Sequence, residues 1–184
     1  MIEKFDLPEH IETDRLVLLR RNHDYDEEML QVLNDNRDFL RRYLFWVDKN
    51  KTLDDVIGAT DMFDKSWINH DEQALLILDK QSGKLIGCIG SHAIDFFNQE
   101  SELGYWLCED KTGNGYMSEA LKAVEEKLFA GGMRRLVICC DIENTASSAV
   151  AKRNGYKLEA VRRGRLFTYG EFHDEVVYVK FSKN

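Results

Sequence analysis

The segment Glu102–Leu128, ELGYWLCEDKTGNGYMSEALKAVEEKL, constrains the fold of this chain more than any other. Residues 102–108 are aromatic and apolar and stop at the charged Glu109-Asp110-Lys111, as a strand does at a turn. The loop Thr112-Gly113-Asn114-Gly115 follows, and beyond it Met117, Leu121, Val124 and Leu128 recur at helical spacing. Glycines ahead of a helix leave its first N–H groups uncovered. Those groups have no acceptor within the helix and carry the positive end of its dipole. A phosphate is the natural guest of such a turn.

Three loop chemistries use a turn of this kind. A P-loop ends in Gly-Lys-Ser/Thr, where this chain has Gly115-Tyr116-Met117. The dinucleotide fingerprint needs a glycine or alanine three residues past its second glycine, and Ser118 stands there. The third is the acyltransferase pyrophosphate turn, Gln/Arg-x-x-Gly-x-Gly/Ala. Aligned on Gly115, the chain reads Thr112-Gly113-Asn114-Gly115-Tyr116-Met117, matching strictly at the central glycine. A loop that only turns the chain is the plain alternative.

At 184 residues the chain is expected to form one domain, 1–184, with a substantial core. No run approaches the length of a membrane span, and the first residues lack the basic-then-apolar layout of a signal peptide, so a cytoplasmic protein is expected. The formal charge of −8 argues against a nucleic-acid partner and suits a cationic acceptor, though it is also an ordinary solubility charge. Cys88, Cys108, Cys139 and Cys140 form no Cys-x-x-Cys pair and have no histidine at zinc-ligand spacing, so no metal site is expected. They read as reduced thiols in apolar runs.

Taken in order, the pattern predicts a strand over 13–20, helices over 25–33 and from 52 onward, and strands over 74–79, 85–94 and 101–108. Thr52 and Asp55 have capping-box spacing, and Val56, Thr60, Phe63 and Trp67 share a face behind them. A helix over 116–129, a strand over 135–141, a helix over 146–154 and strands over 155–161 and 171–181 complete the chain.

Glu-Leu-Gly-Tyr-Trp-Leu with its loop, Asn144-x-x-Ser147, Asn154-Gly155-Tyr156 and the opening Glu12-Thr13-Asp14-Arg15-Leu16-Val17-Leu18 together resemble the RimJ/RimL branch of the GNAT N-acetyltransferases, over roughly residues 11–181. The resemblance implies an α/β (α+β) fold. Its twisted, mostly antiparallel sheet has about seven strands, helices on both faces and a V-shaped splay between two central strands. It implies acetyl-CoA as cofactor, held by Trp106, Leu107, Cys108, Gly113, Asn114, Gly115, Tyr116, Met117, Ser118, Asn144 and Ser147. The pantetheine arm then lies between residues 105–108 and 137–141, with a backbone N–H near Trp106 or Leu107 serving the thioester carbonyl. Asn144 and Ser147 also read, by themselves, as the cap of a helix.

The family's tyrosine acid is replaced by Ala151, which leaves Ser147 to stabilise the departing thiolate. Glu102 is the first candidate for the base that deprotonates the amine, with Glu119 and Asp141 as weaker candidates. Where some relatives carry a late-strand glutamate, this chain has Arg162-Arg163-Gly164-Arg165, which either clamps an acidic substrate group or faces solvent. Tyr105, Phe45 and Trp46 are candidate walls of an acceptor pocket, or core. His173-Asp174 has no serine nucleophile to make a hydrolase dyad, and His10, His23, His70 and His92 share no motif. The implied acceptor is an amine, first a protein N-terminus, with a small amine (polyamine, amino acid or antibiotic) or a non-catalytic acyl-CoA-binding module as alternatives. Relatives are often homodimers.

Overall fold

The computed structural model describes residues 2–183. Eight strands form one sheet: β1 His10–Glu12, β2 Leu16–Arg20, β3 Glu72–Asp79, β4 Leu85–Asp95, β5 Glu100–Leu107, β6 Arg135–Asp141, β7 Lys157–Thr168 and β8 Glu171–Phe181. Their spatial order is β1-β2-β3-β4-β5-β6-β8-β7. Every neighbouring pair is antiparallel except β5 and β6. The helices are α1 Asp26–Asp35, α2 Arg37–Leu40, α3 Leu53–Asn69, α4 Tyr116–Ala130 and α5 Thr145–Arg153.

The sheet has eight strands rather than about seven because β1 lies upstream of the expected strand over 13–20, which itself begins only at Leu16. Thr13 lies in a turn: its N–H donates to the Leu16 carbonyl at 3.0 Å, and its hydroxyl oxygen accepts the Leu16 N–H at 3.0 Å. The chain reverses there, so His10–Glu12 pairs with β2 as a strand of its own. β7 runs to Thr168 instead of Val161, because its pairing with β8 resumes at Leu166 beyond a bulge. The spans expected over 135–141 and 171–181 are β6 and β8, residue for residue. Thr52 and Asp55 make the capping box that opens α3.

Residues paired across a sheet share a face, and successive residues alternate between faces. One face carries Leu75, Ile77, Ile89, Leu103, Leu136, Ile138 and Tyr178, packed with Met117, Leu121, Val124 and Leu128 of α4. On the other face Leu76 and Leu78 meet Met29 and Leu33 of α1 and Val56 of α3. Helices therefore cover both faces, as the continuous apolar run Ala74–Leu78 of β3, buried on both sides, requires.

The constraint that shapes the site is the short β5–β6 ladder. Glu100, Ser101 and Glu102 pair with Arg135, Leu136 and Val137, and the pairing then stops. Beyond that point β5 stays with β4 as far as Leu107↔Gly87, and β6 stays with β8 as far as Asp141↔Glu175. Each strand follows its outer neighbour, and a gap opens between residues 103–107 and 138–141. Gly87 helps hold β5 over: a Cβ at this position would lie 2.3 Å from the Trp106 carbonyl oxygen. Gly87→Ala is expected to push β5 off β4 and cost about 2 kcal/mol or more, as overpacking against backbone does, measured by urea unfolding. An unchanged midpoint would mean that the close approach is dispensable.

Candidate active site

The turn before α4 forms a cradle of free backbone N–H groups. Gly113 and Gly115 adopt φ of +76° and +80°, where a side chain would be strained. Gly115 is the N-cap of α4 and offers no side-chain cap. Among the described residues, the N–H groups of Gly113, Asn114, Gly115, Tyr116, Met117 and Ser118 donate to no protein acceptor. A run of bare amides at a helix start is an unfilled demand for negative charge. Met117 is 5% exposed, so its side chain belongs to the core and only its N–H faces the cradle. The Ser118 hydroxyl accepts from Asn154 Nδ2 at 3.2 Å, which ties α4 to the end of α5.

Arg15, from the β1–β2 turn, braces this loop. Its Nη1 donates to the Asn114 carbonyl at 3.0 Å, and its guanidinium lies 4.4 Å from the Tyr116 ring centroid. Glu119 holds Arg15 in place. It accepts from Arg15 Nε at 2.7 Å, the Arg15 backbone N–H at 2.8 Å and the Thr13 hydroxyl at 2.6 Å. Glu119 is thus occupied with structure and is not free to serve as a base. Nothing in the local pattern announced this latch, because its ends are 104 residues apart.

The gap between β5 and β6 starts beside this turn. The Cys108 N–H donates back to the Ile86 carbonyl at 2.9 Å. N–H groups alternate sides along a strand, so those of Tyr105 and Leu107 face the gap while that of Trp106 faces β4. Of the two N–H groups expected near a thioester, that of Leu107 is the one on the gap side.

Strand alternation also divides the candidate side chains between the two faces. Tyr105 lies on the α4 face with Ile89 and Leu75, to which the ladder links it. Its hydroxyl is 3.1 Å from Ser147 Oγ and 3.3 Å from the Ser147 carbonyl. Burial pushes the Tyr105 phenol up, and the Ser147 hydrogen bond offsets only part of that. Tyr105 therefore supports Ser147 and does not stand with Trp46 as a pocket wall. Asn144 caps α5, its Oδ1 accepting the Ser147 N–H at 3.0 Å. Among the described residues Asn144 Nδ2 has no partner, so capping leaves its amide donors free.

Glu102, Gly104 and Trp106 point to the opposite face. Trp106 meets Trp46 there with ring centroids 6.2 Å apart, while Phe45 is 55% exposed beneath Lys49. Glu102 lies across the ladder from His92, which lies across from Glu72. His92 Nε2 is 3.3 Å from Glu102 Oε1. Burial raises the Glu102 carboxyl, but His92, the Cys139 thiol and Arg162 outweigh it and hold Glu102 below the usual carboxylate range. The Glu102 hydrogen bond in turn raises His92, against its burial. Sequence inspection passed over His92 because its partner is met only across the ladder.

The remaining candidates are placed as follows. Asp141 accepts the Glu143 N–H at 2.8 Å and lies 3.3 Å from His173 Nδ1, engaged at the β6–α5 corner. Asp174 accepts the Gly164 N–H, which shapes the β7 bulge. Arg162 pairs with Glu175 at 3.0 Å, whereas Arg163 and Arg165 are exposed. Burial pushes Cys88 and Cys108 up to about 11 and Cys139 up to about 12, so these thiols stay protonated at neutral pH.

A sheet parted between two central parallel strands, with bare helix-start amides at the mouth of the gap, defines an acyl-transfer scaffold. The chain belongs to the acetyltransferase (GNAT) domain family, whose model matches residues 15–157. It is 28% identical over 153 residues to the ribosomal-protein-serine acetyltransferase of Escherichia coli (strain K12), covering 83% of this chain and 84% of that one. Among solved structures it is similar to a RimL ribosomal L7/L12 alpha-N-protein acetyltransferase in complex with coenzyme A. That match has a TM-score of 0.90 and 26% identity over 94% of this chain and 98% of that one. It is also similar to the microcin C7 self-immunity acetyltransferase MccE in complex with acetyl-CoA and AMP, with a TM-score of 0.91 and 26% identity over 96% of this chain and 98% of that one. The chain is accordingly an acetyltransferase.

The latch makes a prediction about pH. Burial opposes ionisation of Glu119, but its bonds to Thr13 and Arg15 prevail and lower its pKa below 4.5. A depressed carboxyl stabilises the fold above its unfolded-state pKa, and that stability fades as pH falls through the folded value. Glu119→Gln should cost about 1 kcal/mol at pH 7 and progressively less below pH about 4, in paired urea titrations. A difference that does not change with pH would exclude the charged latch.

Proposed function

We propose that this chain transfers an acetyl group from acetyl-CoA to a primary amine by direct attack, and that the acceptor is a protein N-terminal α-amine. Acetyl-CoA supplies the activated thioester. The observation that carries the proposal is the parted β5–β6 pair leading away from the bare amides of residues 113–118.

On this proposal the amides of residues 113–118 hold the diphosphate, with Arg15 bracing the loop behind them. The N–H groups of Tyr105 and Leu107 and the free Nδ2 of Asn144 receive the amide-bearing arm. The Leu107 N–H polarises the carbonyl under attack and stabilises the developing oxyanion. The Ser147 hydroxyl, supported by Tyr105, hydrogen-bonds the departing thiolate and relays a proton to it. The amine approaches from the opposite face, past Trp46, Trp106 and the exposed Phe45. Its excess proton goes to the Glu102 side of the gap. The net charge of −8 favours the approach of an ammonium group.

The α-amine acceptor draws support from the ribosomal-protein-serine activity in the name of the Escherichia coli relative. A cytoplasmic location and a homodimer accompany the proposal. No helix among the described residues is long and apolar enough to cross a membrane.

Coenzyme A release should be followed with serine- and alanine-initiated peptides, polyamines and free amino acids. Turnover highest with peptides supports the proposal. Turnover only with small amines moves the acceptor to that class, and binding without turnover marks a sensor module. With the best acceptor, Ser147→Ala should lower kcat about 10- to 100-fold and change the acetyl-CoA KM less than about twofold. Undiminished kcat would remove the serine from the mechanism.

A further inference from the structure

On the acceptor face Glu72, His92 and Glu102 form a row across β3, β4 and β5. The row ends at the last residue of β5 that is paired with β6. The next residue of β5 on the same face is Gly104, the first beyond the parting of the strands. The His92 ring lies over it: a Cβ at position 104 would stand 3.2 Å from His92 Cε1 and 3.6 Å from Nδ1. The ring thus reaches from β4 over β5 at the residue where β5 and β6 part. Its Nε2 turns to Glu102 Oε1 at 3.3 Å. Its Nδ1 has no hydrogen-bond partner among the described residues. His92 and Glu102 are both half-buried, with side chains 37% and 31% exposed, so the pair is reachable without being fully solvated.

We infer that His92 Nδ1 is the atom that takes the proton from the acceptor amine, and that Glu102 is a positioning residue that fixes the imidazole tautomer. A carboxylate accepting from Nε2–H leaves the lone pair on Nδ1, the ring nitrogen that stands over Gly104 where the strands part. Glu102 is poorly placed to act alone. One of its oxygens is engaged by His92, and Cys139 and Arg162 add to the stabilisation of its charged form. A carboxylate held in that state has little driving force to accept a proton from an ammonium group, whereas an imidazole, the stronger base of the two and raised further by its Glu102 hydrogen bond, has more.

The inference rests on the acetyltransfer proposed above. His92 Nδ1 first accepts a proton from the ammonium group and passes it to solvent. The neutral nitrogen then attacks, its C–N bond forming as the C–S bond breaks. The second proton shed by that nitrogen replaces the one given to the thiolate by Ser147 and Tyr105. Atoms and charge balance with one proton released per acetyl transferred.

The groups facing this pair are Glu72 from β3, Cys139 from β6 and Arg162 from β7, with Arg21 adjoining Glu72. Glu102 and Glu72 raise His92, and burial lowers it. A base acts when neutral, so kcat should rise with pH through the His92 pKa. His92→Gln should cut kcat about 100-fold or more and abolish that acidic limb. Glu102→Gln should keep the limb but move it to lower pH, since the group that raises His92 is gone. A limb that survives in His92→Gln, or disappears in Glu102→Gln, overturns the assignment and returns the base role to the carboxylate.

Ligand-free protein gives an independent readout. Nitrogen-15 shifts of the imidazoles, with His92 identified by its absence in His92→Gln, should show Nε2 protonated and Nδ1 bare at high pH. An Nδ1–H tautomer overturns the inference. Unchanged coenzyme A affinity in both variants establishes that they are folded. Failure of every amine to release coenzyme A from the unmodified protein would sink the acetyltransfer itself, while the tautomer would still be readable.

Discussion

The structure depends on a ladder that ends early. Among the described residues, β5 and β6 are the only parallel neighbours in the sheet, and their pairing stops after Glu102 and Val137. A strand that leaves its neighbour exposes N–H and C=O groups that ordinarily find a partner. Here the exposed edge faces a gap, and the bare amides of the α4 turn lie at its mouth. The free N–H groups of the edge and those of the turn are two sets of donors, separated by the bonded amides of Cys108, Glu109, Lys111 and Thr112. The separation is enforced from outside: β4 holds β5 across Gly87, and β8 holds β6 along its whole length.

Splitting a sheet this way also separates the chemistry. Strand alternation sends Tyr105 to one face and Trp106 to the other. On the proposed mechanism, the group that stabilises a leaving thiolate and the group that receives a proton therefore lie on opposite faces of the sheet. Ser147 with Tyr105 belongs to the α4 side, and Glu102 with His92 belongs to the acceptor side. Two titrating systems kept apart by a sheet can hold different protonation states at one pH.

Much of the fold was legible because its signals are local. The Val-Ile-Cys-Cys run of β6, the capping box at Thr52 and the helical spacing of Met117, Leu121, Val124 and Leu128 each read correctly within a short window. The turn at Thr13 was not legible, since the continuous apolar run Leu16–Leu19 does not reveal a hydroxyl turning back to Leu16. The candidate site was legible as far as motifs reached: the glycine turn, Asn144, Ser147 and Glu102. Partners were not. Arg15 with Glu119, Tyr105 with Ser147 and His92 with Glu102 are set by register and helix docking, at separations that residue patterns do not encode. Arg162 is the instructive case: expected either to clamp an acidic substrate group or to face solvent, it pairs with Glu175 while adding to the field on Glu102.

The central claim is that the amides ahead of α4 grip a diphosphate while the parted strands admit the chain attached to it. Calorimetric titration with coenzyme A and, separately, with pantetheine alone tests it most directly. The account predicts saturable coenzyme A binding that weakens by about 100-fold or more when the phosphates are removed, the contribution expected of several charge-assisted hydrogen bonds. Equal affinity for the two ligands, or no coenzyme A binding at millimolar concentration, would contradict it.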